Sequence, residues 1–202
     1  MVTIVVAYNR DRGFLNQCLA SIREQTYKDI ELIEVHSPFS VSVNFNSGLK
    51  RAKGEFIKWV DEDDWLPVDG IQQLVDGMGE HPWIIANSMQ VTTPKYVYKP
   101  DLSKVNINDM LINNVVHGGT VLYRTELLRE IGGMDETLWT GEEYDMNLKL
   151  MSMGKMPGYV DEVVCYCRIH SEQKSFKLRR ADPEKRLAAL NEIRQRYENT
   201  ST

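Results

Sequence analysis

The run "TIVVA" (Thr3 to Ala7) constrains this chain more than any other feature. It is continuously apolar and rich in β-branched residues, with no polar side to turn to water. Such a run suits a strand covered on both faces, as in a parallel sheet. Behind it Phe14, Leu15, Cys18, Leu19 and Ile22 recur at helical spacing, and a second apolar run, "IELIEV" (Ile30 to Val35), follows. Strand, helix and strand in that order form a βαβ unit, whose crossover is right-handed. The pattern continues with strands expected at "EFIKWV" (Glu55 to Val60) and "WIIANS" (Trp83 to Ser88), and a helix between them over Gly70 to Met78.

The second half changes character. "GGTVLYR" (Gly118 to Arg124) reads as a strand and "TELLREIGG" (Thr125 to Gly133) as a short helix closed by glycines. Tyr144, Leu148 and Met151 keep helical spacing up to Gly154, and "YVDEVVCYCRIH" returns to strand character. A last helix is expected from about Asp182, with Leu187, Leu190, Ile193 and Tyr197 on one stripe. Strands alternating with helices predict an α/β fold: a mixed, mainly parallel sheet flanked by helices.

A length of 202 residues fits one domain with a real core. The net charge of −5 argues against a nucleic-acid partner, since phosphate backbones need clustered Lys and Arg. Three cysteines, Cys18, Cys165 and Cys167, match no zinc spacing and read as buried small hydrophobes in a reducing compartment. With no signal peptide and no transmembrane segment in the sequence, a cytoplasmic location is expected.

The stretch "KWVDEDDWLP" (Lys58 to Pro67) crowds four carboxylates at the end of an apolar run. Asp61 closes the strand at its carboxyl edge, where open α/β sheets bind ligands. Asp61 and Asp63 lie two apart, so both can face one point while Glu62 faces away, an arrangement suited to Mg²⁺ or Mn²⁺. Asp64 is equally well placed to cap a helix begun by Pro67. A calcium EF-hand fails, because its fifth, sixth and twelfth positions, counted from Asp61, would be Trp65, Leu66 and Gln72.

Five segments in order then carry a resemblance. They are "TIVVAYNR", "QTYKDIELIEV", "NSGLKRAKGEFIKWVDEDD", "LLREIGGMDETLWTGEEYDMNLKL" and "CYCRIHSEQKS". Together they resemble the family 2 glycosyltransferases, of GT-A (Rossmann-like) fold, over nearly the whole chain. The resemblance implies transfer of a hexose from a nucleotide-diphosphate sugar, with a UDP-sugar expected, to a glycan or other hydroxyl acceptor, with inversion. It implies Mn²⁺ (or Mg²⁺), with Asp63 as direct ligand, Asp61 holding ribose or a metal-bound water, and His170 supplying a distant imidazole. Ala7, Tyr8, Asn9 and Arg10 fall in the nucleotide loop, with Tyr8 to stack on a base and Arg10 to reach a phosphate. Asp61 and Glu62 complete the donor-binding set. Glu143 falls on the position of the base that takes the acceptor proton.

Two departures accompany the resemblance. The family usually shows Glu-Asp where this chain has Glu142-Glu143, so the carboxylate is moved by a methylene. An Asp-Asp-Gly-Ser segment, a helix and a strand usually follow the second strand; here "VHSPFSVSVNFNSG" replaces all of it, with His36 and Ser37 at the aspartate positions. His117, Trp139 and Thr140 fit an acceptor pocket and ordinary packing alike. The expected division is a GT-A domain over 1–180, its nucleotide and metal half at 1–88 and its acceptor half at 89–180, then a helix and tail over 181–202. The polar segment "SEQKSFKLRR" (Ser171 to Arg180) is expected to close over a diphosphate. The rival readings are a sugar-nucleotide-binding module that has lost transfer, and a nucleotidyltransferase. The latter is disfavoured by the single glycine of "YNRDRGF".

Overall fold

The first βαβ unit forms where the apolar runs place it. In the computed structural model, which describes residues 1–174 and 180–198, β1 (Val2–Tyr8) pairs in parallel with β2 (Ile30–His36) through α1 (Leu15–Arg23). Helix α2 (Val41–Arg51) then returns the chain to β3 (Phe56–Asp61), which pairs in parallel with the other side of β1. Helix α3 (Gly70–Met78) leads to β4 (Trp83–Val91), and the short β5 (Tyr96–Tyr98) folds back on the end of β4. Helix α4 (Ile107–Ile112) precedes β6 (Leu122–Arg124), α5 (Thr125–Glu130) and α6 (Glu142–Ser152). Strand β7 (Gly158–Arg168) pairs in parallel with β4, and α7 (Pro183–Gln195) follows.

Among the described residues the sheet has seven strands in the order β2-β1-β3-β6-β4, with β5 and β7 both paired to β4. Strand β6 is antiparallel to both β3 and β4, so β1, β2, β3, β4 and β7 all run the same way. Alternation along β1 divides the core into two layers. Val2, Ile4 and Val6 pack with Leu15, Cys18 and Ile22 of α1 and Leu74 of α3. Val5 and Ala7 pack on the other side with Phe45 of α2, Leu128 of α5 and Leu148 of α6.

Helix α2 corrects the sequence reading: the replacement segment contains a helix. Ser40 caps it, its hydroxyl accepting from the Val43 N–H at 3.3 Å. Its buried face includes Ser42, Asn44, Asn46 and Gly48, so it lacks the apolar stripe that marks a helix in sequence. Gly48 is needed there, because a Cβ would run into the Val5 side chain. The strand expected over Gly118 to Arg124 is also shorter, since Gly118–Thr120 form a 3₁₀ turn and only Leu122–Arg124 pair. Helix α7 begins as expected, with Asp182 accepting from Lys185 N–H and Pro183 in the first turn. All three cysteines are buried and free. No helix among the described residues is long and apolar enough to cross a membrane. Residues 175–179, the middle of the segment expected to close over a diphosphate, lie outside the described residues.

Candidate active site

The parallel strands end together at one edge, and the acidic turn leaves β3 there. Asp61, Asp63 and Asp64 each bring a carboxylate oxygen within 4.8 Å of the others. His170 arrives from the end of β7, and its Nε2 lies 2.7 Å from Asp63 Oδ2, although 107 residues separate the two. Asp61 Oδ1 accepts from the indole N–H of Trp59 at 2.6 Å. Three carboxylates and one imidazole are a hard-oxygen set with a borderline nitrogen, a donor set that fits Mn²⁺ or Mg²⁺.

Asp64 does not cap a helix, contrary to one sequence reading. Helix α3 starts only at Gly70, and Asp64 Oδ1 accepts from the backbone N–H of Arg168 at 2.9 Å. That bond ties the turn to β7. Arg168 secures it further, donating from Nε to the Asp63 carbonyl at 3.1 Å and from Nη2 to Gln17 at 2.5 Å. Its guanidinium lies over Phe14 and Trp65, at 4.3 and 4.8 Å from the ring centres. The turn is thus held from behind while its carboxylates converge at the front.

That convergence shows in the proton affinities. Asp61 keeps a face open to solvent, yet protein atoms crowd its other sides. This partial dehydration, then the charge of Asp63, pushes its carboxyl up to about 6. Burial raises Asp64 well above the ordinary carboxylate range, with Asp61 and Asp63 adding to the effect. A divalent cation would relieve the mutual repulsion of all three.

The loop after β1 lies beside this turn. Ala7 pairs with Val35 and Asp61, and Tyr8 pairs with His36, their rings stacked 4.8 Å apart at 15°. Asn9 Oδ1 accepts from Arg12 Nη2 at 3.5 Å. Arg12 also holds Glu62, which is buried and is not among the converging carboxylates Asp61, Asp63 and Asp64. Arg10 Nη2 meets Glu172 at 2.5 Å, and Arg12 Nε lies 3.7 Å from the same carboxylate. Lys174 Nζ meets Glu142 Oε1 at 2.5 Å. Residues 170–174 therefore contact the acidic turn, the loop after β1 and helix α6 in quick succession.

Glu142, Glu143 and Asp145 occupy the first turn of α6, where the helix dipole favours negative charge. Glu142 is taken by Lys174. Asp145 is buried and accepts from Arg196 and Tyr197, both at 3.1 Å. Glu143 is half-buried, and no side chain among the described residues donates a hydrogen bond to its carboxylate. Its carboxyl rests on the backbone of Gly118, where a Cβ would strike both oxygens. Burial first, then the charges of Asp61 and Glu142, push this carboxyl up to about 8, with Lys58 and Lys174 working against them. Glu143 thus stands within electrostatic reach of the acidic turn. His117, next to Gly118 in sequence, is half-buried, its Nδ1 unpartnered among the described residues, and burial holds its imidazole down to about 4. Trp139 faces Lys185 of α7, whose Nζ is 5.4 Å from the ring centre.

The structure therefore brings Asp61, Asp63 and His170 together, and sets Ala7, Tyr8, Asn9, Arg10 and Glu143 around them. Sequence reasoning missed Arg168, Arg12, Glu172, Lys174 and Lys58. The first four act through contacts with distant segments, which leave no local signal. Lys58 did leave one: a lysine inside a two-sided apolar strand needs a buried partner.

Comparisons with known proteins agree with this geometry. The family model described as Glycosyl transferase family 2 matches residues 35–132. A Rickettsia conorii protein described as an uncharacterized glycosyltransferase is 25% identical, over 88% of this chain and 35% of its own length. A similarly described Haemophilus influenzae protein is 24% identical, over 99% of this chain and 78% of its own length. The chain spans about a third of the length of the first curated relatives it matches. Among solved structures, Staphylococcus aureus TarS 1-349 in complex with UDP-GlcNAc superposes with a TM-score of 0.74 at 16% identity, covering 95% of this chain and 65% of that one. The mannosyltransferase PcManGT of Pyrobaculum calidifontis, in complex with GDP-Man and Mn²⁺, gives 0.60 at 15% identity, covering 98% of this chain and 72% of that one. By its matched segment and its relatives the chain is similar to the family 2 glycosyltransferases, and by its architecture it has the GT-A fold of the solved structures.

Proposed function

We propose that this chain transfers a hexose from a nucleotide-diphosphate sugar to a hydroxyl acceptor, with inversion at the anomeric carbon. The observation that carries the reading is the convergence of Asp61, Asp63, Asp64 and His170 at the carboxyl edge of the sheet, with Glu143 set apart on α6. Solved neighbours support the donor class: TarS is seen in complex with UDP and with UDP-GlcNAc, and PcManGT in complex with GDP-Man and Mn²⁺. A UDP-sugar is the donor we assign.

Asp63 and His170 would hold Mn²⁺ or Mg²⁺ directly, with Asp61 as a further ligand or the anchor of a bound water. When bound, the cation supplies Lewis acidity toward the leaving diphosphate. Tyr8 with His36 offers a stacked aromatic face to a base. Arg10 and Arg12, now paired with Glu172 and Glu62, can donate to phosphate oxygens instead. In the transfer step the acceptor oxygen bonds to the anomeric carbon from the face opposite the phosphate. The bond from that carbon to the phosphate oxygen breaks, and its electron pair leaves with the nucleoside diphosphate. The hydroxyl proton passes to a carboxylate oxygen of Glu143.

The test is incubation with Mn²⁺ and a panel of nucleotide sugars, monitoring nucleoside diphosphate release and sugar transfer for wild type and Glu143→Gln. The expected result is metal-dependent transfer that falls roughly a hundredfold in Glu143→Gln with donor affinity unchanged. Tight donor binding without transfer to any acceptor would instead favour a binding module.

A further inference from the structure

Lys58 is the most heavily buried charged group of the sheet, at 0% exposure in the middle of β3. Its neighbours explain what holds it. Strands β3 and β6 pair only at Phe56 with Arg124 and at Ile57 with Tyr123. Beyond that point the ladder stops, and the next carbonyls of the β6 side need other donors. Lys58 Nζ supplies them, donating to Val121 O at 3.3 Å and to Gly119 O at 2.7 Å. The ammonium thus replaces missing rungs of the ladder. It fixes the backbone of the 3₁₀ turn that carries Gly118, and Gly118 is the surface on which the Glu143 carboxylate rests.

We propose that Lys58 is a positioning residue for Glu143: by pinning the carbonyls of Gly119 and Val121 it sets the glycine turn that places the Glu143 carboxylate. The inference rests on the reading of Glu143 as the base. Charge works in the same direction as the contacts. Glu143 faces Asp61 and Glu142, which disfavour its ionised form, and Lys58 and Lys174, which favour it. Lys58 in turn faces Cys165, Glu143, Asp64 and Asp61, and its charge bears on His117. A lysine that only filled space would be replaceable by methionine of similar length, with no change at α6.

The experiment compares wild type, Lys58→Met, Lys58→Gln and Glu143→Gln. Titration of Glu143 is followed in the metal-free protein by its protonated-carboxyl stretch in infrared difference spectra, assigned by its loss in Glu143→Gln. In both Lys58 variants the midpoint should rise by roughly half a unit or more, because a nearby cation is gone. In transfer assays at saturating donor, Lys58→Met should lose roughly tenfold in kcat with little change in donor KM. Lys58→Gln, which keeps an N–H for the Gly119 carbonyl, should recover at least about threefold of that loss. Wild-type midpoint and kcat in a folded Lys58→Met would overturn the inference. Should that variant not fold, wild-type midpoint and kcat in Lys58→Gln would do the same. If Glu143→Gln itself transfers at the wild-type rate, the base assignment has failed. If Glu143→Gln is inactive while the Lys58 variants behave as wild type, only this inference has failed.

Discussion

Replacing Gly118 by alanine should separate the position of Glu143 from the stability of the fold. Gly118 has no positive φ, so its backbone accepts an L side chain without strain. The new methyl would meet the carboxylate of Glu143 at under 3.0 Å, whereas ordinary contact begins at 3.4 Å. The obstacle is the far end of a flexible side chain, so the carboxylate retreats and the backbone stays. Its displacement is of the order of one ångström, and a shift of that size at a reacting group costs about a hundredfold in rate. That corresponds to about 2.7 kcal/mol in the barrier. Stability should change by less than about 1 kcal/mol, as expected where no buried polar group is orphaned. The assay is transfer rate at saturating donor, beside nucleotide affinity and a denaturant melt. Because both changes act on one group, Gly118→Ala combined with Glu143→Gln should be no slower than Glu143→Gln alone. A folded Gly118→Ala that transfers at the wild-type rate would refute the reasoning, since Glu143 would not be acting from where it stands.

Asp63→Ala should weaken Mn²⁺ binding at least tenfold, about 1.4 kcal/mol, by calorimetry, and unchanged affinity would remove Asp63 from the metal site. Lys58 gives a pH signature: burial holds its ammonium down to about 8 against an ordinary 10.5. Between those values the unfolded chain binds the proton and the native one does not, so stability rises with pH across that window, by an amount on the order of 3 kcal/mol. Lys58→Met should flatten that rise in denaturant melts at pH 8 and 10, and an unaltered slope would contradict the burial argument. Asn46 pairs with both backbone groups of Met134, at 2.9 and 3.0 Å, and with Glu136 at 2.9 Å. Asn46→Ala orphans those groups and should cost about 2–3 kcal/mol, read as a melting temperature several degrees lower.

How much was legible follows from where the interactions lie along the chain. Strands β1, β3 and β4 announce themselves because burial on both faces demands mainly apolar runs, broken in β3 only by Lys58 before its terminal Asp61, and α3 and α7 because each has a regular apolar stripe. Helix α2 stayed hidden because it buries Ser42, Asn44, Asn46 and Gly48, whose partners come from elsewhere in the fold. The role of Asp64 was equally hidden, since its partner is a backbone N–H 104 residues away. Helix capping was the local alternative, and local logic preferred it. The pairing of Asp63 with His170 entered only through the likeness of "RIHSEQKS" to a family pattern; no spacing rule reaches across 107 residues. The acidic turn itself was visible as a crowd of like charges in need of a counter-ion.

The same long reach has a consequence for how the chain comes to its final shape. Strands β1, β2 and β3 can pair as soon as the first sixty or so residues have left a ribosome, because all three lie within that stretch and pair only with one another there. Strand β3 then waits for Leu122–Arg124 to fill its free edge, and β4 waits for Gly158–Arg168. The contact between the acidic turn and His170 is therefore assembled last, when His170 docks against a turn made long before. Contacts of such sequence separation form slowly, because loop closure must precede any gain from them. A nascent chain halted before β7 would display three clustered carboxylates with neither their imidazole partner nor the Arg168 N–H bond that ties the turn. If the proposed site holds Mn²⁺, acquisition of that affinity during refolding would time the docking of the last strand, later than the growth of helical signal.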